Sequence, residues 1–92
     1  MPNDKSSPVC LITGASSGIG AATAITFAKN GYRVALHYNS NEDGARRTAE
    51  AIEKAGGQVG MFQADLSMAE QARGLVLQVL ARYTGIDVLV NN

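Results

Sequence analysis

The chain has 92 residues, 46% of them hydrophobic and 17% charged, the makeup of one small globular domain rather than of a disordered or fibrous chain. Eight basic and eight acidic side chains cancel, which removes the electrostatic reason to expect nucleic acid or an anionic membrane as partner. A single cysteine, Cys10, excludes an intrachain disulfide; no apolar run is long enough to span a bilayer, and the polar start MPNDKSSP lacks the apolar stretch of a secretory signal, so a cytoplasmic setting is expected.

Residues 1–7 read as a flexible tail. Val9-Cys10-Leu11-Ile12-Thr13 is apolar on both faces, as in a buried parallel strand. A glycine-rich turn follows, then a helix over about residues 17–30, with Gly31 in the usual place for a left-handed terminal residue. The second strand is Arg33 to Tyr38. Asn41 is placed to cap the second helix, with Glu42 and Asp43 in its first turn, where acids favour the helix dipole. Arg46 with Glu50, and Glu50 with Lys54, sit four apart on its expected solvent face, and Gly56-Gly57 ends it. The third strand covers about residues 58–64. Ser67-Met68-Ala69-Glu70 has the form of a capping box opening the third helix, whose apolar stripe is Ala72, Leu75, Val76, Val79, Leu80 and Tyr83. Gly85 is expected to end that helix, and a fourth strand covers residues 87–91.

Strands alternating with helices through short connections predict an α/β fold: a doubly wound parallel sheet of Rossmann type, of which four strands and three helices are present. The fourth strand, apolar on both faces at Val88-Leu89-Val90, reads as an interior strand, so the 92 residues are expected to be a piece of a longer chain or to pair with a separate fragment.

Between the first strand and first helix lies Thr13-Gly14-Ala15-Ser16-Ser17-Gly18-Ile19-Gly20. Gly14 lets the chain turn off the strand, Gly18 lets backbone approach a ligand, and Gly20 lets the helix pack closely. Amides at the helix start then face a pyrophosphate, with the dipole favouring its charge, and the Ser16 and Ser17 hydroxyls add donors for phosphate or ribose. A nucleoside-triphosphate loop needs lysine and then serine or threonine after its last glycine; here Ala21 and Ala22 follow Gly20.

These residues resemble the TGxxxGxG coenzyme motif of the short-chain dehydrogenases/reductases, in particular the 3-oxoacyl-carrier-protein reductase-like and glucose dehydrogenase-like members. Asp65-Leu66 at the end of the third strand resembles that family's adenine-ring contact, and Asn91-Asn92 the opening of its NNAG motif. The resemblance runs from about Pro8 to the end, so residues 8–92 correspond to the N-terminal part of an NAD(P)-binding Rossmann domain. It implies hydride transfer between a nicotinamide cofactor and a carbonyl or alcohol substrate, in a complete protein that forms a homodimer or homotetramer. A non-catalytic dinucleotide-binding module and an inactive truncated product are the alternatives.

The end of the second strand discriminates the cofactors, because an acid there binds the adenine ribose hydroxyls and repels a 2′-phosphate. The sequence there is Tyr38-Asn39-Ser40, with no acid, which favours NADP(H) over NAD(H); Arg46 and Arg47 fall on solvated helix surface. The resemblance implies a catalytic tyrosine followed four residues later by lysine, with an upstream serine. Four residues after Tyr32, Tyr38 and Tyr83 stand Leu36, Glu42 and Asp87, so no catalytic residue is assigned within the chain. His37, the sole histidine, reads as a packed or edge residue and makes no metal site; Cys10 reads as a small hydrophobe.

Overall fold

The computed structural model describes residues 6–92; residues 1–5, most of the stretch read as a tail, lie outside the described residues. Seven elements follow in order: β1 (Val9–Ile12), α1 (Gly18–Lys29), β2 (Arg33–Tyr38), α2 (Glu42–Lys54), β3 (Val59–Gln63), α3 (Ala69–Tyr83) and β4 (Val88–Val90). The strands form one parallel sheet in the order β3-β2-β1-β4, with Cys10 beside Val34 on one side and Val88 on the other. Ser7 is already tied to the sheet, its carbonyl accepting from Nε and Nη2 of Arg33 at 3.0 and 2.8 Å.

Successive strand side chains point to opposite faces, so an all-apolar strand supplies two cores at once. Cys10 and Ile12 join Val34 and Leu36 beneath Ala24 of α1 and Ala45, Ala49 and Ile52 of α2. Val9 and Leu11 join Ala35 and Phe62 beneath Leu75, Val79 and Tyr83 of α3. The helices therefore lie on both faces, α1 and α2 on one and α3 on the other. The chain runs outward from β1 to β3, then crosses back to place β4 on the other side of β1. The strand order thus reverses beside β1, and a doubly wound sheet opens its binding crevice at such a point, at the carboxyl ends of its strands.

In α2 the buried residues are Gly44, Ala45, Thr48, Ala49 and Ile52, a stripe of helical period, and the Asn41 side chain accepts from the Gly44 N–H at 3.0 Å, which makes it the expected cap. Gly31 takes the left-handed conformation past α1 (φ 89°).

Four local expectations are corrected. Arg46 pairs with Glu42, one turn back, at 2.6 Å rather than with Glu50, and this is the sole ion pair among the described residues; both side chains are more than half exposed, so it adds little. The Ser67 hydroxyl does not cap α3: it donates to Asp65 Oδ1 at 2.6 Å, and the helix begins after Met68 with no side-chain cap. A carboxylate two residues upstream outcompetes the helix amide for that hydroxyl. Thr84, not Gly85, takes the left-handed position that ends α3, at φ 63°. The α3 stripe is narrower than expected: Leu75, Val79 and Tyr83 are buried, whereas Val76 and Leu80 are 41% and 39% exposed.

Candidate functional site

Beyond β1 the Thr13 N–H donates to the Val90 carbonyl at 3.0 Å, which carries the chain alongside the end of β4. The Thr13 hydroxyl lies 3.4 Å from Asn91 Oδ1 and accepts from the Asn92 N–H at 3.0 Å. The next peptide is held from two sides. The Gly14 N–H donates to Nδ1 of His37 at 3.1 Å, and the Gly14 carbonyl accepts from Nδ2 of Asn92 at 3.1 Å. The Ala15 N–H donates to the His37 carbonyl at 2.9 Å. The first two amides of the turn are therefore used inward, which narrows the reading of the whole 14–20 segment as an amide cradle.

The amides left without an internal acceptor are those of the helix start. Gly18, Ile19 and Gly20 are the first three residues of α1, where N–H groups have no acceptor within the helix, and Ala21 is the first whose N–H reaches back, to the Ser17 carbonyl at 3.3 Å. Ser17 occupies the capping position without a side-chain cap bond, and the first turn holds no acid. The positive end of the helix therefore meets no side-chain oxygen or acid of its own first turn, and it sits at the carboxyl edge of the sheet. Gly18 has φ 60°, and nothing lies within 4 Å of the place a Cβ would take, so the turn is open on that side. At Gly20 a Cβ would overlap the Gly14 carbonyl oxygen and fall 2.6 Å from Asn92 Nδ2, so this glycine is required for the close approach of α1 to the turn and to the end of β4. Ser16 is half-buried, Ser17 exposed and Ile19 78% exposed above the turn.

The ends of β2 and β3 complete the rim. Tyr38 is half-buried, while Asn39 and Ser40 are exposed; the Asn39 carbonyl accepts from Gln63 Nε2 at 2.9 Å, and the Ser40 carbonyl from the Glu42 N–H at 3.0 Å. Asp65 Oδ1 accepts from both the hydroxyl and the N–H of Ser67, at 2.6 and 3.0 Å, and these bonds hold its carboxyl below the usual carboxylate range, the hydroxyl contributing most. The Asp65 N–H donates to Gln71 Oε1 at 2.8 Å, and Leu66 is 38% exposed beside it. All thirteen residues singled out in the sequence thus lie at the carboxyl ends of the four strands, in the turns that follow or in the first turn of α1.

A family model described as short chain dehydrogenase matches residues 8–92. The chain belongs to the short-chain dehydrogenase family. An uncharacterized oxidoreductase of Methylorubrum extorquens is 50% identical over 84 residues, which are 91% of this chain and 34% of that protein. The crystal structure of a short-chain dehydrogenase/reductase from Burkholderia xenovorans superposes with a TM-score of 0.90 at 42% identity, over 94% of this chain and 36% of that one. The structure of an actinorhodin polyketide ketoreductase variant with NADPH gives 0.89 at 37% identity, over 97% of this chain and 34% of that one. The chain of this short-chain dehydrogenase family member therefore spans about a third of the length of the relatives it matches.

Sequence reasoning missed the part His37 plays. It is 3% exposed, and both ring nitrogens are taken, Nδ1 by the Gly14 N–H and Nε2 by the Ala64 carbonyl at 2.9 Å. The available signal was a polar ring in an otherwise apolar central strand, where a buried polar group must find partners. Cys10 is fully buried, and burial pushes its thiol up to about 11, so it is an inert packed side chain in this family member. Among the described residues there is no group of three or more His, Cys, Asp or Glu able to hold a metal ion, and no helix is long and apolar enough to cross a membrane. A cavity of about 340 Å³ at the opposite, amino-terminal ends of the strands, lined by Tyr32, Gly57 and Gln58 among others, shares no residue with the rim described above.

Proposed function

We propose that this chain holds the diphosphate and adenosine of a nicotinamide dinucleotide, NADP(H) in preference to NAD(H), for a complete protein that moves a hydride between that cofactor and a carbonyl or alcohol substrate. The observation that carries the reading is the uncapped start of α1 at the strand-order reversal, with the Gly18, Ile19 and Gly20 amides lacking an acceptor within the helix and the turn open at Gly18. The residues present fit the cofactor. Ser16, Ser17 and the helix-start amides serve the diphosphate, Tyr38, Asn39 and Ser40 the adenine ribose, Asp65 and Leu66 the adenine, and Asn91 and Asn92 a cofactor ribose. The nicotinamide ring carries the hydride. This chain's part is to bind and orient; with no tyrosine followed four residues later by lysine, it supplies no proton donor of the family type.

Preference for NADP(H) rests on the end of β2, where Tyr38-Asn39-Ser40 offers no carboxylate against a 2′-phosphate; the nearest acid, Glu42, is engaged by Arg46. The NADPH in the ketoreductase structure supports the same preference. The family resemblance supports assembly of the complete protein as a homodimer or homotetramer, and the buried free thiol of Cys10 fits a reducing, cytoplasmic setting.

Titration of the complete protein with NADPH and NADH tests the reading. Gly18→Asp places a carboxylate where the diphosphate is held, and aspartate tolerates the left-handed backbone better than most residues, so the fold should persist while both dinucleotides bind at least about tenfold more weakly. Unchanged binding removes the turn from the site. Asn39→Asp should weaken NADPH by about tenfold and leave NADH bound; tighter binding of NADH than NADPH by the wild type overturns the preference.

A further inference from the structure

We infer that His37 is a positioning residue for the coenzyme: its ring ties the diphosphate turn to the adenine end of the site and fixes the peptide from which the turn runs into the helix-start amides. This rests on the dinucleotide reading above. Its partners fix the chemical form of the ring. The Gly14 group is an N–H and can only donate, so Nδ1 presents a lone pair; the Ala64 group is a carbonyl and can only accept, so Nε2 carries the hydrogen. The ring is thus a neutral imidazole held as one tautomer by two backbone groups that themselves cannot change. Its own main chain adds a third bond, from the Ala15 N–H to the His37 carbonyl at 2.9 Å.

The consequence is geometric. Two consecutive amides of the turn, those of Gly14 and Ala15, are drawn towards β2, the second of them three residues before α1 begins at Gly18 with its first amides uncapped. The far side of the same ring holds Ala64, the residue immediately before Asp65 and Leu66. One rigid imidazole therefore spans the gap between the segment assigned to the diphosphate and the segment assigned to the adenine. A dinucleotide whose two ends are bound by different loops gains when the spacing of those loops is fixed before it arrives. The backbone of Ala64 is separately paired through its N–H to the Tyr38 carbonyl at 3.1 Å, so β3 does not depend on the ring for its own register, whereas the Gly14 N–H has no acceptor but the ring.

Removing the ring nitrogens should act on cofactor binding more than on turnover. In the complete protein His37→Leu leaves the Gly14 N–H without an acceptor, and the dissociation constants for NADPH and NADH should rise about tenfold or more, with KM for the cofactor following and kcat at saturation little changed. His37→Gln restores an acceptor oxygen and a donor nitrogen on one side chain and should return binding to within about threefold of wild type. Nitrogen NMR of labelled wild type should show Nδ1 unprotonated and Nε2 protonated. A Leu variant that binds both dinucleotides as wild type does, a Gln variant as weak as Leu, or the opposite tautomer overturns the inference. If wild type binds neither dinucleotide, the cofactor reading itself fails, whatever the tautomer. A Leu variant too unstable to titrate leaves the Gln rescue and the nitrogen spectrum to decide.

Discussion

The two flanks of the sheet are finished to different degrees. On the β1–β2 flank, Ile12, Val34, Leu36, Ala24 and Ala45 are all fully buried between the sheet and the α1–α2 pair. On the β4–α3 flank, Leu89 is 61% exposed, Leu77 60%, Val76 41% and Leu80 39%. The turn that presents the helix-start amides is rooted in the first flank, at the end of β1, and is held by His37 of β2. Its remaining anchor, Asn92, comes from the end of the second flank and reaches back to Gly14. The turn proposed to hold the diphosphate is thus built on the fully buried flank, whereas the β4 side contributes Asn91 and Asn92, which follow a strand with one apolar face uncovered.

The largest expected effect follows from that contrast. Ile12→Ala removes a fully buried side chain from the finished flank and should cost about 2–5 kcal/mol of stability. Leu77→Ala, on the exposed face of α3, should stay within about 0.5 kcal/mol. Urea unfolding of both variants reads the difference. A loss at Leu77 approaching that at Ile12 would break the comparison, because it would mean that Leu77 is covered in solution.

A smaller effect separates the two helix starts. Asn41→Ala deletes a cap whose oxygen accepts from the Gly44 N–H, and should cost about 1 kcal/mol. Ser67→Ala deletes no cap. Instead it releases Asp65, whose carboxyl then rises toward its ordinary range. The folded carboxyl is depressed, so its stabilising contribution is present above the unfolded value and fades as pH falls through the folded one. The gap between Ser67→Ala and wild type should therefore close in acid, whereas the Asn41→Ala gap should not. A Ser67→Ala gap that holds constant down to the lowest pH at which the protein stays folded would mean that Ser67 acts on the helix and not on Asp65.

Asn41 and Ser67 also show what the sequence made legible. Asn41 could be read because nothing near it competes for its oxygen. Ser67 could not, because the Asp65 carboxylate, two residues upstream, accepts from both its hydroxyl and its N–H. The strands and the glycine turn were readable from local pattern: both faces of Val9–Ile12 are apolar, and the three glycines follow directly. The bridge made by His37 was not, because it joins Gly14 to Ala64 across 23 and 27 residues, and pairing of that range follows from strand order rather than from neighbours in sequence. Strand order likewise decided which part of the α3 stripe is buried, since Leu75, Val79 and Tyr83 lie against Val9, Leu11, Ala35 and Phe62 of three different strands.

The smallest effect sharpens the comparison from the less finished flank. Thr84 ends α3 in the left-handed region, φ 63°, where a β-branched side chain is strained, and its N–H donates to the Leu80 carbonyl at 2.8 Å. The strain is worth about 1–2 kcal/mol, and glycine would relieve it while adding about 0.5–1 kcal/mol of chain entropy to be lost on folding. Thr84→Gly should therefore raise stability by roughly 0.5–1 kcal/mol, seen as a higher urea midpoint at unchanged slope. The hydroxyl of Thr84 lies 2.5 Å from the Tyr83 carbonyl, so a fall in the midpoint would show that this bond outweighs the backbone strain. A rise would show that the exposed flank carries removable strain beside Tyr83, the residue through which α3 meets Phe62 at the edge of the shared core.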